Sequence, residues 1–232
     1  MKALKPIWYL ALMFVFLSTE AAWSAVVAGK ISAAKGSVTA TGPDGTKRKL
    51  RKGKAFYEGD KIDTAKRGAV AMKFKDGTKF ALGGESSMQV DAFVFGVSPE
   101  EDKVSVKILK GAFRFITGLV AKKKPENMGV TLGVTATIGI RGTNVAGELI
   151  GESVTVVLLE PEGDEEGTFT AIEVYNDFGQ VTIDEPGFGT KVADSKSAPT
   201  PAKRMKLRTV DNIMRSMSSI TRAFSRPRVS VP

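Results

Sequence analysis

Cysteine and histidine are both absent from this chain of 232 residues. Without them there is no disulfide, thiol nucleophile, Ser/His/Asp triad, histidine general base, His-ligated haem or ordinary zinc site. Tryptophan is nearly absent: Trp8 and Trp23 both fall in the first 24 positions, so the remainder has no tryptophan for the aromatic cleft of a sugar-processing enzyme. Long apolar runs are scarce, and the longest uncharged one, Ile7 to Leu17, is far short of the ~20 residues that a membrane span needs. What is present is a globular balance of 42% hydrophobic and 25% charged residues, read as one domain with appendages. Glycine is frequent, at 24 residues, and the aromatics are mostly Phe, which suits short strands joined by tight turns.

The net charge of +9 is unevenly placed. Beyond Ala202 there are Lys203, Arg204, Lys206, Arg208, Arg215, Arg222, Arg226 and Arg228 against Asp211 alone, so the basic character belongs to a tail and no nucleic acid partner is expected. The body is nearly neutral overall but two-faced. From Ala25 to Lys124 basic groups outnumber acids 21 to 10, and from Pro125 to Ala202 acids outnumber bases 13 to 3.

Lys2 and Lys5 followed by Ile7 to Leu17 make residues 1–24 a signal peptide, with small residues favouring cleavage after Ser24 or, second, after Ala28. The expected location is the periplasm or another exported compartment. Past the leader, Val70, Met72 and Phe74 alternate with polar or small residues, then comes Asp76-Gly77, then Thr78, Phe80 and Leu82 alternate in turn. Period two on both sides of Asp-Gly is a hairpin signal, because the turn requires positive φ. Further turns fall at Pro43-Asp44-Gly45, Asn176 to Gly179 and Pro186-Gly187. Strands are expected at Val104 to Leu109, Ala112 to Ile116, Val130 to Ile140, Ser153 to Leu159, Thr168 to Tyr175 and Gln180 to Ile183, with no helical pattern among them. The fold class is therefore all-β: stacked short antiparallel strands and hairpins, sandwich- or solenoid-like, plus a C-terminal amphipathic helix.

Gly36-Ser37-Val38, Leu50 with Gly53, Glu58-Gly59-Asp60 with Ile62 and Thr64, Gly68-Ala69, Asp76-Gly77-Thr78, Leu109 to Arg114 and Ala136 to Thr143 follow one another in an order that resembles the FecR domain. That is the periplasmic all-β domain of the ferric-citrate type of signalling regulator, and the resemblance runs over 29–193. Regulators of that type carry an anti-sigma domain before a membrane span. Only six residues precede the apolar run here, so the expectation is a free-standing exported form without that part, acting in binding, sensing or scaffolding in the envelope.

The chemistry-bearing residues have two readings each. Asp60, beside Gly59 and before Thr64, either binds a ligand or bonds its own backbone to fix a bend, and the second is favoured. Arg141, with Gly142 and Thr143, is either a structural fork or an anion-recognition residue. Lys49, Arg51 and Lys52, in the run Lys47 to Lys54, either bind a polyanion or keep a strand edge from pairing. Asp76, Gly77 and Gly111 are read as structural, and Arg114, between Phe113 and Phe115, as a solvated residue on the opposite face. Glu160 to Glu166 lack calcium-loop spacing, and no phosphate-cradling loop occurs, so no catalytic residue, metal or cofactor is expected. The competing class is an envelope enzyme using Asp and Glu alone, for example a glycan-acting one.

Residues 194–202 form a Pro/Ser linker and 203–232 a basic tail. Val210, Ile213, Met214, Met217, Ile220 and Phe224 recur at helical spacing, predicting a helix over about 209–224 with Thr209 as N-cap. At that length it is too short to cross a bilayer and marginal alone, so it docks on the chain's own β-body, on its acidic half, on a membrane surface as a peripheral contact, or on a partner. The partner expected for the body is an envelope protein or glycan.

Overall fold

The structure, a computed structural model, describes residues 25–141, 144–161, 170–215 and 217–221. The leader, Gly142, Thr143, Glu162 to Glu166 and Phe224 lie outside the described residues.

Two sheets face each other across one core. The first, sheet A, contains in spatial order β4 (Ala55–Tyr57), β1 (Val27–Lys35), β6 (Ala69–Phe74), β7 (Lys79–Leu82), the second half of β9 (Lys103–Ile116), β12 (Asn144–Ile150), β13 (Ser153–Leu159), β16 (Phe188–Val192) and β17 (Lys203–Arg204). Sheet B contains β3 (Lys47–Lys49), β2 (Val38–Thr41), β5 (Lys61–Thr64), β8 (Ser87–Val94), the first half of β9, β10 (Met128–Leu132), β11 (Ala136–Arg141), β14 (Ala171–Asn176) and β15 (Gly179–Ile183). All pairings are antiparallel except β9 with β10. A short helix, α1 (Leu119–Lys123), and a 3-10 turn at Pro125–Asn127 separate β9 from β10.

Strand β9 explains how two sheets share one strand. Val104, Val106 and Ile108 point into the core from sheet B, whereas Phe113 and Phe115 do so from sheet A. Inward positions change from even to odd at Lys110-Gly111, where Gly111 sits at φ +88° and turns the strand over the corner. A side chain there would be strained by the backbone and would run into Ser86. Corners at 36–37, 65–68, 83–86 and 110–112 stack on one another: the Ala65 amide donates to the Ser37 carbonyl (3.0 Å), Glu85 to Ala65 (3.2 Å) and Gly83 to Ala112 (2.9 Å). Buried Thr64 staples the stack, its hydroxyl donating to the Gly83 carbonyl at 2.6 Å and accepting from the Ser86 amide at 3.0 Å.

The core is phenylalanine-rich because inward positions of short strands must each fill much volume. Phe80 and Phe115 are cross-strand partners stacked at 5.2 Å, and Phe56 meets Phe74 edge-on at 4.9 Å. Each fully buried ring contributes roughly 1.5–3 kcal/mol.

Four expectations need correction. Val130 to Ile140 is two strands, β10 and β11, because Gly133 at φ +57° turns the chain where no Asp or Pro marks it. The stretch before 193 also holds α1, which is too short to display a helical period. The tail helix is broken into α2 (Leu207–Arg215) and α3 (Ser218–Thr221), and it starts ahead of Thr209, whose amide already bonds the Lys206 carbonyl. Its seat is apolar and straddles the basic and acidic halves instead of lying on the acidic one alone: Ile213, Met217 and Ile220 pack on the outer face of sheet A against Ala69 and Ala71 (β6), Ala81 (β7), Ala112 (β9) and Ala146 (β12), with Val210 half-buried. Alanines leave a trough in the pleated surface deep enough for a helix ridge.

Candidate functional site

The first group of candidate residues converges on one corner of the sandwich. The β3 edge strand carries Lys47 and Lys49 into solvent, with Arg51 and Lys52 exposed in the turn that follows, while Leu50 between them is buried. Arg48, in the middle of this run, turns back: its guanidinium pairs with Asp60 Oδ1 and lies over the Tyr57 ring, 4.7 Å from the centroid. Asp60 Oδ2 accepts from the Tyr57 amide at 2.8 Å, and the Val90 amide donates to the Asp60 carbonyl at 3.0 Å. Only 1% of Asp60 is exposed, so both carboxylate oxygens are bonded within the fold and neither faces a ligand. Gly59, at φ +79° and against Pro43, makes the bend that brings Asp60 under Arg48. Sequence reasoning placed the basic run and Asp60 as separate features, and the fold joins them through Arg48.

Asp76 is wholly buried, although it belongs to a hairpin turn. Its carboxylate accepts from the Thr78 amide (3.0 Å) and hydroxyl (2.7 Å), the Thr78 hydroxyl accepts from the Gly118 amide (3.0 Å), and the Leu119 amide donates to the Asp76 carbonyl (2.9 Å). The turn is thus a seat for the start of α1. Gly77, at φ +91°, makes it tight.

Arg114 overturns the solvated reading. It does point away from Phe113 and Phe115, but only 6% of it is exposed. That outer face of sheet A is the one the tail covers, and Arg114 lies in register between Ala81 and Ala146 of the trough. Its Nε donates to Asn144 Oδ1 at 3.0 Å, and Asn144 Nδ2 donates to the Glu160 carbonyl at 2.7 Å. Arg141 is paired through its backbone with Ala171, in sheet B, on a different sheet from this network and far along the strand order from Asp60.

Sequence reasoning missed three fixing groups. Asp102, 5% exposed, caps the β8–β9 loop by accepting from the Gly96 amide at 2.7 Å. Asn176 donates to the carbonyls of Thr135 and Ser197, joining the β10–β11 turn to the linker. Glu152 accepts from the Ser195 amide and hydroxyl at 3.1 and 2.8 Å, and those bonds hold its carboxyl below the usual range. All three are Asx- or Glu-type residues near turns, a signal too common to single out. Among the described residues no group of three or more Asp or Glu side chains is arranged to hold a metal ion.

Residues 60–162 match the family model described as FecR protein. Of solved structures, a chain from Parabacteroides distasonis, provisionally assigned as an anti-sigma factor, is 15% identical over 66% of this chain and 63% of that one, with a TM-score of 0.50. A second structure of the same description gives 14% and 0.48. A cell surface anchoring domain is 34% identical over 26% of this chain and 80% of that one, at a TM-score of 0.26. No curated protein matches. This chain thus spans less than two thirds of the Parabacteroides chains, and the likeness to them at such identity is one of fold. The matched segment begins at Asp60 and takes in the stacked corners at 65–68, 83–86 and 110–112 and the shared strand β9, and over those residues this chain is similar to the FecR family.

Proposed function

We propose that this chain is an exported, non-catalytic binding and sensing module of the cell envelope. The observation that carries the non-catalytic half is the placement of the acids. Asp60 and Asp76, the two carboxylates set at family-motif turns, are buried and bonded within the fold, Asp60 to Arg48 and the Tyr57 amide and Asp76 to Thr78, so neither is poised to move a proton to or from a substrate. The FecR match and the fold likeness to anti-sigma chains support a regulatory role. Export rests on the leader and gains support from where β1 begins. Ala28 is wholly buried and its carbonyl accepts from the Lys75 amide, so cleavage after Ser24 leaves the strand intact and cleavage after Ala28 cuts into it.

Two measurements test this. N-terminal sequencing of the chain recovered from envelope fractions is expected to begin at Ala25, and recovery from the cytosol with the leader attached would overturn export. Asp60→Asn and Asp76→Asn are expected to lower thermal stability and cellular amount, with any phenotype following the amount. Variants of full stability and abundance that have lost function would make these acids functional groups and overturn the non-catalytic reading.

A further inference from the structure

Outside the corner described above, the outer face of sheet A carries a row of like charges. Lys30 on β1 stands opposite Lys73 on β6, which stands opposite Lys79 on β7. Met72 and Phe74 on either side of Lys73 point into the core, so Lys73 points outward. Lys75 follows at the end of β6. Lys30, Lys73 and Lys75 are exposed and make no ion pair among the described residues. A groove of about 280 Å³ lies among them, lined also by Val27, Gly29 and Ser32, with no carboxylate in its lining. Cations directly opposite one another on a sheet destabilise it. A fold that keeps Lys30 and Lys73 opposite each other and unpaired, with Lys75 beside them, carries a cost that an external anion would relieve.

We propose that this face docks on the surface of a bilayer containing anionic lipid. Two observations favour a flat lipid surface over a small anion. Basic groups extend beyond the row, since α2, seated on β9 and β12 of the same face, turns Arg208 and Arg215 to solvent with Asp211 between them. Exposed aliphatic side chains border it: Val26, 47% exposed, directly precedes Val27 of the groove lining, and Leu119, 48% exposed, is bonded through its amide to the turn that follows Lys75. The apolar stripe of the tail helix takes no part, because Ile213, Met217 and Ile220 are buried in the trough. The inference concerns a surface separate from the Asp60 corner and stands whether or not the sensing role does.

The test is sedimentation of the chain from Ala25 to Pro232 with vesicles of phosphatidylcholine alone or with one third phosphatidylglycerol. Binding is expected only to the anionic vesicles and is expected to fall as salt shortens the reach of the charges. Each lysine near such a surface is worth about fivefold, so Lys30→Ala/Lys73→Ala/Lys75→Ala should weaken partitioning about a hundredfold. Lys49→Ala/Arg51→Ala/Lys52→Ala removes the same charge from the β3 corner and should leave it within about threefold. A melting curve of each variant checks folding, and Lys73→Ala alone should melt higher than the parent at low salt. No binding of the parent to anionic vesicles overturns the proposal. So does an equal loss in both triple variants, which would make attraction a matter of net charge, or binding to soluble polyphosphate without binding to vesicles.

Discussion

Glycine at position 111 shows how much one residue decides in this fold. It holds a backbone angle that other residues rarely adopt, it sits against Ser86, and it is where β9 leaves one sheet for the other. Gly111→Ala is therefore expected to destabilise the protein by about 1–3 kcal/mol, read as a lower denaturant midpoint at unchanged slope. Gly45→Ala, at a turn open to solvent, isolates the strain of positive φ without any contact and should cost less. Glu152 carries a pH effect. Because bonds from Ser195 lower its folded pKa, the tether it provides is fully present above the ordinary glutamate value of about 4.3 and is lost as pH falls through the lowered one. Normalised amide exchange at Ser195 should accelerate over that window in the parent and be fast at all pH values in Glu152→Ala. The sequence announced Asp60, Asp76 and Gly77 as turn formers because turn chemistry is local. It did not announce that Arg48 reaches Asp60 or that Arg114 is buried, since both depend on which strand comes to lie beside which.

Among elements, the tail is the most testable. Its helices sit on methyl groups, so a larger side chain in the trough lifts the helix without touching the core between the sheets. Ala146→Leu is expected to make the segment after Met205 sensitive to limited proteolysis while moving the melting temperature of the β-body by only a few degrees. Unchanged resistance of the tail would mean that the trough is not what holds it. The amphipathic period was legible because Val210, Ile213, Met214, Met217 and Ile220 recur by the helix repeat. The seat was not, because a stripe of alanines spread over β6, β7, β9 and β12 has no signature in any single strand. The β10–β11 turn escaped for a related reason: its glycine stands without the Asp or Asn that marks the β2–β3, β6–β7 and β14–β15 hairpins.

For the molecule as a whole, β9 makes the two sheets one cooperative unit. Each sheet contains half of it, and the inward residues of both halves belong to one continuous cluster. Thermal unfolding of the described body is expected to be a single transition with equal calorimetric and van't Hoff enthalpies, and two resolved transitions would show that the sheets melt apart. The all-β class followed from alternation and turn spacing alone. The exchange of strands between layers did not, because it arises from pairings between segments far apart in the chain.

The tail also runs backward over the sandwich. The chain pairs last at β17, on the rim of sheet A opposite the rim that holds β1 and β4, and then α2 crosses β12 and β9 and α3 reaches β6 and β1. A tug between the two ends of the described chain therefore meets this clasp first. Its few side chains would let go, lengthening the molecule by a short measured step and absorbing the pull, before any load reached the strands beneath.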